Sequence, residues 1–126
     1  MIEENDKVER RKHRRFLAPQ DVFVITSDEA VIGEIADISA GGLSFSYRTS
    51  RGKPSIAFDL HIFVKDGSFH LFDIPCSLAW DREIGKYHPL SDVSWRECGV
   101  QFGAMTPEQK SKLQHFIDNY TRRYSP

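Results

Sequence analysis

Alternation of apolar and polar residues at period two, between residues 21 and 102, constrains this chain more than any other feature. The clearest stretch, residues 42–47, alternates Leu43, Phe45 and Tyr47 with two serines. Period two is the spacing at which side chains share one face of a β-strand. The chain is therefore predicted to be mainly β-structure.

Six segments fit this interpretation, and turn residues separate most of them. In residues 30–39 the apolar set is Ile32, Ala36 and Ile38, and Pro75 predicts an edge or a bulge in its own strand. Asp66 and Gly67 predict a hairpin turn. The predicted strands are 21–27, 30–39, 42–47, 56–64, 68–80 and 97–102, with residues 81–94 as an irregular polar connection.

The spacing of apolar residues changes after residue 105, from that of a strand to that of a helix. Thr106, Pro107 and Gln109 form a helix start, with a capping threonine, proline at the first position and glutamine three residues after the cap. An apolar stripe at helical spacing then predicts a helix over 107–124; its members are Leu113, Phe116, Ile117, Tyr120 and Tyr124. Six or seven short antiparallel strands and one C-terminal helix favour a closed or nearly closed β-barrel, which removes exposed edges.

The length of 126 residues fits one domain, and the charge is distributed unevenly within it. Residues 7–15 hold six cations and one carboxylate, whereas the rest of the chain carries a net charge of −6. We therefore divide the chain into a flexible basic arm, 1–15, and a barrel domain, 16–126. An acidic body with one short basic arm does not suit duplex DNA, which favours a broad basic face, but suits a compact anionic ligand.

Several function classes lack their sequence signals. No apolar run reaches the roughly 20 residues of a membrane span, no secretory signal is visible, and the cytoplasm is the expected compartment. Cys76 and Cys98 are expected to be small buried apolar residues. We predict no metal site, because the histidines lack ligand spacing, and no enzyme, because no catalytic arrangement is apparent; the scattered histidines are His61, His70, His88 and His115. Trp80 and Trp95 are expected to pack in the core or at its rim rather than stack on bases.

Two motifs stand out against this background. The first is E-R-R-K-H-R-R-F at residues 9–16, directly before the first apolar residues, and the second is D-I-S-A-G-G at residues 37–42. Together they resemble the RxxxR and [D/N]xSxxG motifs of the PilZ domain, a bacterial receptor for cyclic di-GMP. The resemblance extends to Gly99-Val100-Gln101-Phe102 and to the closing helix. It implies a split-barrel fold and a cyclic di-GMP site.

The register of RxxxR follows from the resemblance. In the family the second arginine directly precedes the residue that opens the barrel, which here is Phe16, so the pair is Arg11 and Arg15. Arg10 then precedes the motif, which in this family goes with two stacked nucleotides per chain rather than one. Two further arm residues are additional candidates, Arg14 as an extra charge and His13 as a phosphate contact or a spacer.

The residue types suit the ligand. Arginine forms bidentate hydrogen bonds to phosphate or to a guanine edge, and its plane can stack on a base. Asp37 offers an acceptor to the Watson–Crick edge of guanine, and Ser39 offers a hydroxyl. Gly41 and Gly42 allow a sharp turn through positive φ and close approach of the backbone. The alternative is that Asp37, Ser39 and Gly42 only shape a turn.

The sequence thus predicts a non-enzymatic cyclic di-GMP receptor whose arginine arm orders on binding and signals to a partner. That partner is an unidentified protein of motility, pilus or exopolysaccharide machinery. For the chain itself we expect no DNA binding and no membrane insertion. Two alternatives stay open. One is a PilZ-like adaptor that does not depend on cyclic di-GMP or that takes another anionic nucleotide. The other is a small barrel that binds single-stranded nucleic acid, which would favour aromatic residues within the arm.

Overall fold

A computed structural model describes residues 16–17, 21–49, 52–86 and 88–123, with the backbone alone for Arg122 and Arg123. Within these ranges, eight strands and one helix follow in chain order. They are β1 (Phe16–Leu17), β2 (Val22–Thr26), β3 (Ile32–Ile38), β4 (Gly42–Arg48), β5 (Ala57–Val64), β6 (His70–Lys86), β7 (Ser94–Phe102), α1 (Pro107–Tyr120) and β8 (Arg122–Arg123). None of the described helices is long and apolar enough to cross a membrane.

Six of the strands close into an antiparallel barrel. Their order is β2-β5-β6-β7-β4-β3, and pairing between β2 and β3 completes the ring. The short strands β1 and β8 lie outside this ring, where β1 pairs with β3 and β8 pairs with β1. The predicted antiparallel barrel with a C-terminal helix is confirmed.

The barrel interior is filled by the alternating residues of its strands. Leu43, Phe45 and Tyr47 are all buried, as the period-two pattern predicts. Helix α1 adds Leu113, Phe116 and Ile117 to the same core, and Phe116 packs on Phe69 with ring centroids 4.8 Å apart. The helix therefore completes the hydrophobic core with its apolar stripe.

Helix α1 begins as predicted and ends earlier. Thr106 Oγ1 accepts from the Gln109 amide at 3.1 Å, and the Gln109 side chain accepts from the Thr106 amide at 2.9 Å, a full capping box. The predicted end at residue 124 is wrong, because Thr121 is extended (φ −122°, ψ 165°) and the helix stops at Tyr120. The chain leaves the helix there to pair with β1. Tyr124 lies outside the described residues.

The face assigned to β3 is wrong for Ile32 and Ala36. A β-bulge shifts the β3–β4 register between Ile35 and Asp37, so Ile35 and Ile38 are buried and Ile32 is 42% exposed. A bulge inserts one extra residue into a strand and reverses the alternation beyond it. Ala36 and Asp37 consequently both face away from the core.

The predicted irregular connection at residues 81–94 is also wrong over half of its length. Strand β6 continues to Lys86 and β7 begins at Ser94, with register shifts between Leu78 and Trp80 and between Glu83 and Gly85. Most of this extension is exposed, so four of its six residues are charged, and two bulges hide the alternation. Pro75 is not at an edge, since β6 pairs with both β5 and β7, and a bulge lies two residues before it, where His61 is opposite Phe72 and Asp73.

Candidate ligand-binding site

Residues 39–42 form a tight turn between β3 and β4, and Ser39 holds it together. Ser39 Oγ accepts from the amides of Gly41 (3.1 Å) and Gly42 (3.2 Å), and the Ser39 amide donates to the Gly42 carbonyl at 2.8 Å. The structure thus gives the Ser39 hydroxyl a turn-shaping role. It places Asp37, Ser39, Gly41 and Gly42 together at one end of β3 and β4.

Gly42 is needed for a different reason from the predicted one. Among the described residues the glycines with positive φ are Gly52 and Gly67, neither of which lies in this turn. A Cβ added to Gly42 would instead overlap the carbonyl oxygen of Val100 on β7. The Phe102 amide donates to the Gly41 carbonyl at 2.9 Å, which fixes the same close approach. The turn is therefore packed directly against β7.

Beside this turn the outer surface of the barrel carries an open cavity of about 430 Å³. Cavities that bind small ligands typically measure about 300–1,000 Å³, so this volume is within the usual range. It spans four adjacent strands, β3, β4, β7 and β6. The lining residues are Asp37, Ser44, Trp80, Asp81, Arg82 and Glu97. Asp37, predicted from the sequence as a ligand residue, is one of them.

Bulges place two of these residues at the cavity. The register shift between Ile35 and Asp37 puts Asp37 opposite Ser44, and the shift between Leu78 and Trp80 puts Trp80 opposite Gly99. The Trp80 ring lies directly over Gly99, where an added Cβ would overlap the indole. Gly99 is thus the position that lets the indole lie flat on the sheet.

Arg82 and Glu97 complete the wall next to Trp80. The Arg82 guanidinium carbon lies 5.4 Å from the centre of the Trp80 ring, and Arg82 Nη2 donates to Glu97 Oε1 at 2.8 Å. Trp80 lies on the outer face of the barrel, is 36% exposed and lines the cavity, so the prediction that it packs in the core or at its rim is wrong. Sequence reasoning did not select Trp80 or Arg82 as site residues. The sequence signal that could have identified them is a tryptophan at a point where the apolar and polar residues of the strand stop alternating.

A polar cluster supports the barrel end behind Trp80. Tyr47 Oη donates to Asp81 Oδ1 at 2.9 Å, and Arg96 Nε donates to both Asp81 oxygens at 3.2 Å. Burial, then the hydrogen bond to Asp81, raises the pKa of the Tyr47 hydroxyl far above its ordinary value. The hydrogen bond to Asp81 also raises the pKa of Arg96. Near neutral pH Tyr47 is therefore protonated and Arg96 charged, and their hydrogen bonds hold Asp81 beside Trp80.

The predicted arginine arm lies outside the described residues; its site candidates are Arg10, Arg11, His13, Arg14 and Arg15. The structure does describe the residues that follow it. Strand β1 pairs Phe16 with Ile38 and Leu17 with Asp37. The chain that leaves Arg15 therefore runs beside Asp37, the first residue of the second motif.

The remaining candidate groups show no sign of site chemistry. Cys76 and Cys98 are buried free thiols, as predicted, and burial raises the pKa of each to about 12. Within the described ranges no group of three or more histidine, cysteine or acidic residues could hold a metal ion. Trp95 lies away from the cavity, with the Arg48 guanidinium carbon 5.6 Å from its ring centre.

The barrel, the turn motif and the closing helix define a PilZ-type domain. The PilZ domain family matches residues 9–119, and the chain belongs to this family. No curated protein matches the chain in sequence.

Solved structures share the fold. The PilZ domain of YcgR from Escherichia coli, solved with c-di-GMP, has a TM-score of 0.64 at 19% identity over 88% of this chain and 91% of that one. Longer YcgR in complex with c-di-GMP gives a TM-score of 0.61 at 19% identity over 86% of this chain and 45% of that chain. The Bacillus subtilis inhibitor of motility MotI gives a TM-score of 0.59 at 16% identity over 86% of this chain and 49% of that chain. The chain thus spans about half the length of these two longer proteins.

Proposed function

We propose that the chain is a non-enzymatic receptor for cyclic di-GMP in the bacterial cytoplasm. One observation carries the proposal. The β1–β3 pairing places Leu17, two residues after the arginine motif in sequence, beside Asp37, and Asp37 lines an open cavity on the barrel surface. Two structures that share this fold were solved with c-di-GMP, which supports the same ligand here.

The chemistry assigns a different part of the ligand to each motif. Arg11 and Arg15 bind phosphates or guanine edges through bidentate hydrogen bonds. The Asp37 carboxylate accepts from the N1–H and the amine of a guanine. The turn of Ser39, Gly41 and Gly42 brings backbone close to the ligand and holds Asp37 in place.

Trp80 and Arg82 extend the proposed site beyond the two motifs. The indole is an exposed aromatic surface in the same cavity as Asp37, and a guanine base can stack on such a surface. The Arg82 guanidinium lies over the ring, so a base that stacks on the indole takes its place, and the displaced cation attracts a phosphate. Replacing Trp80 with alanine is expected to weaken binding by about tenfold, since stacking is worth roughly 1–3 kcal/mol per base.

Arg10 leads us to propose two nucleotides per chain. Binding orders residues 9–16 against the turn, which changes the surface that a downstream protein contacts. We propose that this partner belongs to motility, pilus or exopolysaccharide machinery. Hydrogen exchange tests the ordering: amides of residues 9–16 gain protection on addition of cyclic di-GMP, whereas core strands change little. Equal protection with and without ligand contradicts it.

Calorimetric titration with cyclic di-GMP tests the ligand and the register. Arg11→Ala and Arg15→Ala should each lower affinity at least tenfold, because a charge-assisted bidentate contact is worth about 1.5–3 kcal/mol. Lys12→Ala is the matched control, since it removes the same charge from the same arm outside the motif. Wild-type affinity in both arginine variants, or loss in Arg14→Ala alone, would overturn the register. Absence of binding to the wild type would overturn the function.

A further inference from the structure

A second surface lies on the other side of the barrel. Cross-strand pairing brings Ile25 beside Ile32 and His61, and brings Phe63 beside Phe23 and His70. The Phe23 and Phe63 rings stack with centroids 5.9 Å apart. We call this outward surface of β2, β5 and the start of β6 the Phe72 face. Its members are Phe23, Ile25, Ile32, His61, Phe63, His70 and Phe72.

Phe72 projects from the centre of a β-bulge and is 51% exposed. The bulge is held on both sides: His61 Nδ1 accepts from the Asp73 amide at 3.1 Å, and Gln109 Nε2 donates to the carbonyls of Phe72 and Asp73 at 3.0 Å. The Phe72 ring lies 5.2 Å from His61 and 4.8 Å from His70. Hydrogen bonds thus fix the bulge backbone, and the two histidine rings contact the exposed Phe72 ring, before any partner binds.

Such preorganisation is what a binding anchor requires. Buried aromatic anchors account for a large share of interface energy, and a fixed side chain loses little entropy on binding. Asp73 adopts φ +59°, a left-handed conformation that is unfavourable for most non-glycine residues, and the bulge imposes it. A bulge that re-aims a side chain is a feature typical of functional surfaces.

The charges around the Phe72 face select its partner. Glu34 lies beside Phe23 in the strand pairing, Asp73 follows Phe72 in the bulge, and Asp59 lies two residues from His61 on the same outward side of β5. All three border the face with negative charge. A second copy of the chain would bring three carboxylates against three, which is unfavourable.

We propose that the Phe72 face docks a protein that offers the apolar side of an amphipathic helix to Phe72, bordered by lysine or arginine side chains. The face shares none of its residues with the cavity that contains Asp37 and Trp80. Docking there leaves the proposed nucleotide site open. The inference does not depend on which ligand that site binds.

Two synthetic peptides test the proposal on the full chain. Both are amphipathic helices with leucine and tryptophan on one side, bordered by lysine in one peptide and by glutamate in the other. The lysine peptide should bind at least about tenfold more tightly, and its NMR shift changes should map to the Phe72 face. Equal affinity for both peptides, no binding, or shift changes confined to the Asp37 cavity would overturn the proposal.

Three variants sharpen the result. Phe72→Ala should weaken binding of the lysine peptide at least tenfold, whereas Ile56→Ala, which truncates an apolar residue 81% exposed outside the face, should not. The double variant Glu34→Lys and Asp59→Lys should reverse the preference toward the glutamate peptide. Unchanged peptide selectivity in that double variant would overturn the charge argument. Sedimentation should show one molecular mass for wild type and Phe72→Ala, and a dimer lost in the variant would assign the face to a second copy instead.

Discussion

Replacing Gly42 with alanine tests how the turn is packed against the barrel. The added Cβ would overlap the Val100 carbonyl oxygen and contact the backbone of Gln101, neither of which can rotate away. Relief requires β4 and β7 to separate, although these strands are hydrogen-bonded along their whole length. Overpacking of a well-packed interior costs about 1–3 kcal/mol, and a backbone obstacle places this case at the upper end of that range.

Three glycine variants separate this steric cause from backbone conformation. Gly42→Ala should lower the midpoint of thermal unfolding by about 8–15 °C, taking roughly 4–5 °C per kcal/mol for a domain of this size. A Cβ added to Gly67 would have no atom within 4 Å, but Gly67 has a φ of +82°. Gly67→Ala should therefore lower the free energy of unfolding by about 1 kcal/mol, because alanine disfavours the left-handed backbone conformation. Gly85→Ala has open space and no positive φ, so it should be neutral or slightly stabilising.

Thermal melts followed by circular dichroism measure all three variants. The expected order of stability is Gly85→Ala, then Gly67→Ala, then Gly42→Ala. A Gly42→Ala variant that melts within about 2 °C of wild type would refute the close β4–β7 approach. A Gly67→Ala variant less stable than Gly42→Ala would show that conformation, not contact, dominates.

Four further predictions follow from individual side chains. Asp37→Ala should weaken cyclic di-GMP binding measured by calorimetry while its melting temperature stays within a few degrees of wild type; unfolding as severe as that of Gly42→Ala would contradict this. Asp81→Asn should cost about 2–3 kcal/mol in urea unfolding, since it unpairs Arg96 where both side chains are only 16% exposed, and Tyr47→Phe should cost less, about 1 kcal/mol. Cys76 and Cys98 should react slowly with a thiol reagent in native protein even at pH 9, because burial raises each pKa to about 12, and rapidly in urea. Hydrogen bonds from Thr26 and the Ala30 amide lower the pKa of Asp28 in the folded state. The wild type should therefore be more stable than Asp28→Asn above about pH 4, and this difference should disappear as the pH falls through the pKa of Asp28 in the folded protein.

The local patterns in the sequence were sufficient for much of the fold. The alternation of residues 42–47 is that of β4, and Thr106 with Gln109 marks the start of α1, because these signals depend only on near neighbours. The residues that resemble PilZ motifs also located Asp37 in the cavity. These features are the ones that a strand or a helix turn determines by itself.

The errors have a common physical cause in strand registers that depend on distant partners. Ile32 and Ala36 were assigned to the core because a bulge opposite β4 cannot be seen within β3 alone. The extension of β6 to Lys86 depends on pairing with β7, and Trp80 faces the cavity only because Ala79 is unpaired in that ladder. The need for Gly42 likewise arises from Val100, more than fifty residues away, rather than from its own φ.

These same irregularities explain how a closed barrel presents functional groups. The inner face of the barrel is filled by the core, so binding residues must lie on the outer face. On a regular strand only every second side chain points to that face. Four bulges interrupt that alternation in the described strands, and three of them each bring one of Asp37, Trp80 and Phe72 to the surface. Each is held by contacts that the barrel supplies: the pairing with Ser44, the flat seat on Gly99, and the hydrogen bonds from His61 and Gln109. Recognition can therefore change through these three side chains with little cost to stability, whereas replacing Gly42 moves strands β4 and β7, and replacing Gly99 displaces the Trp80 ring.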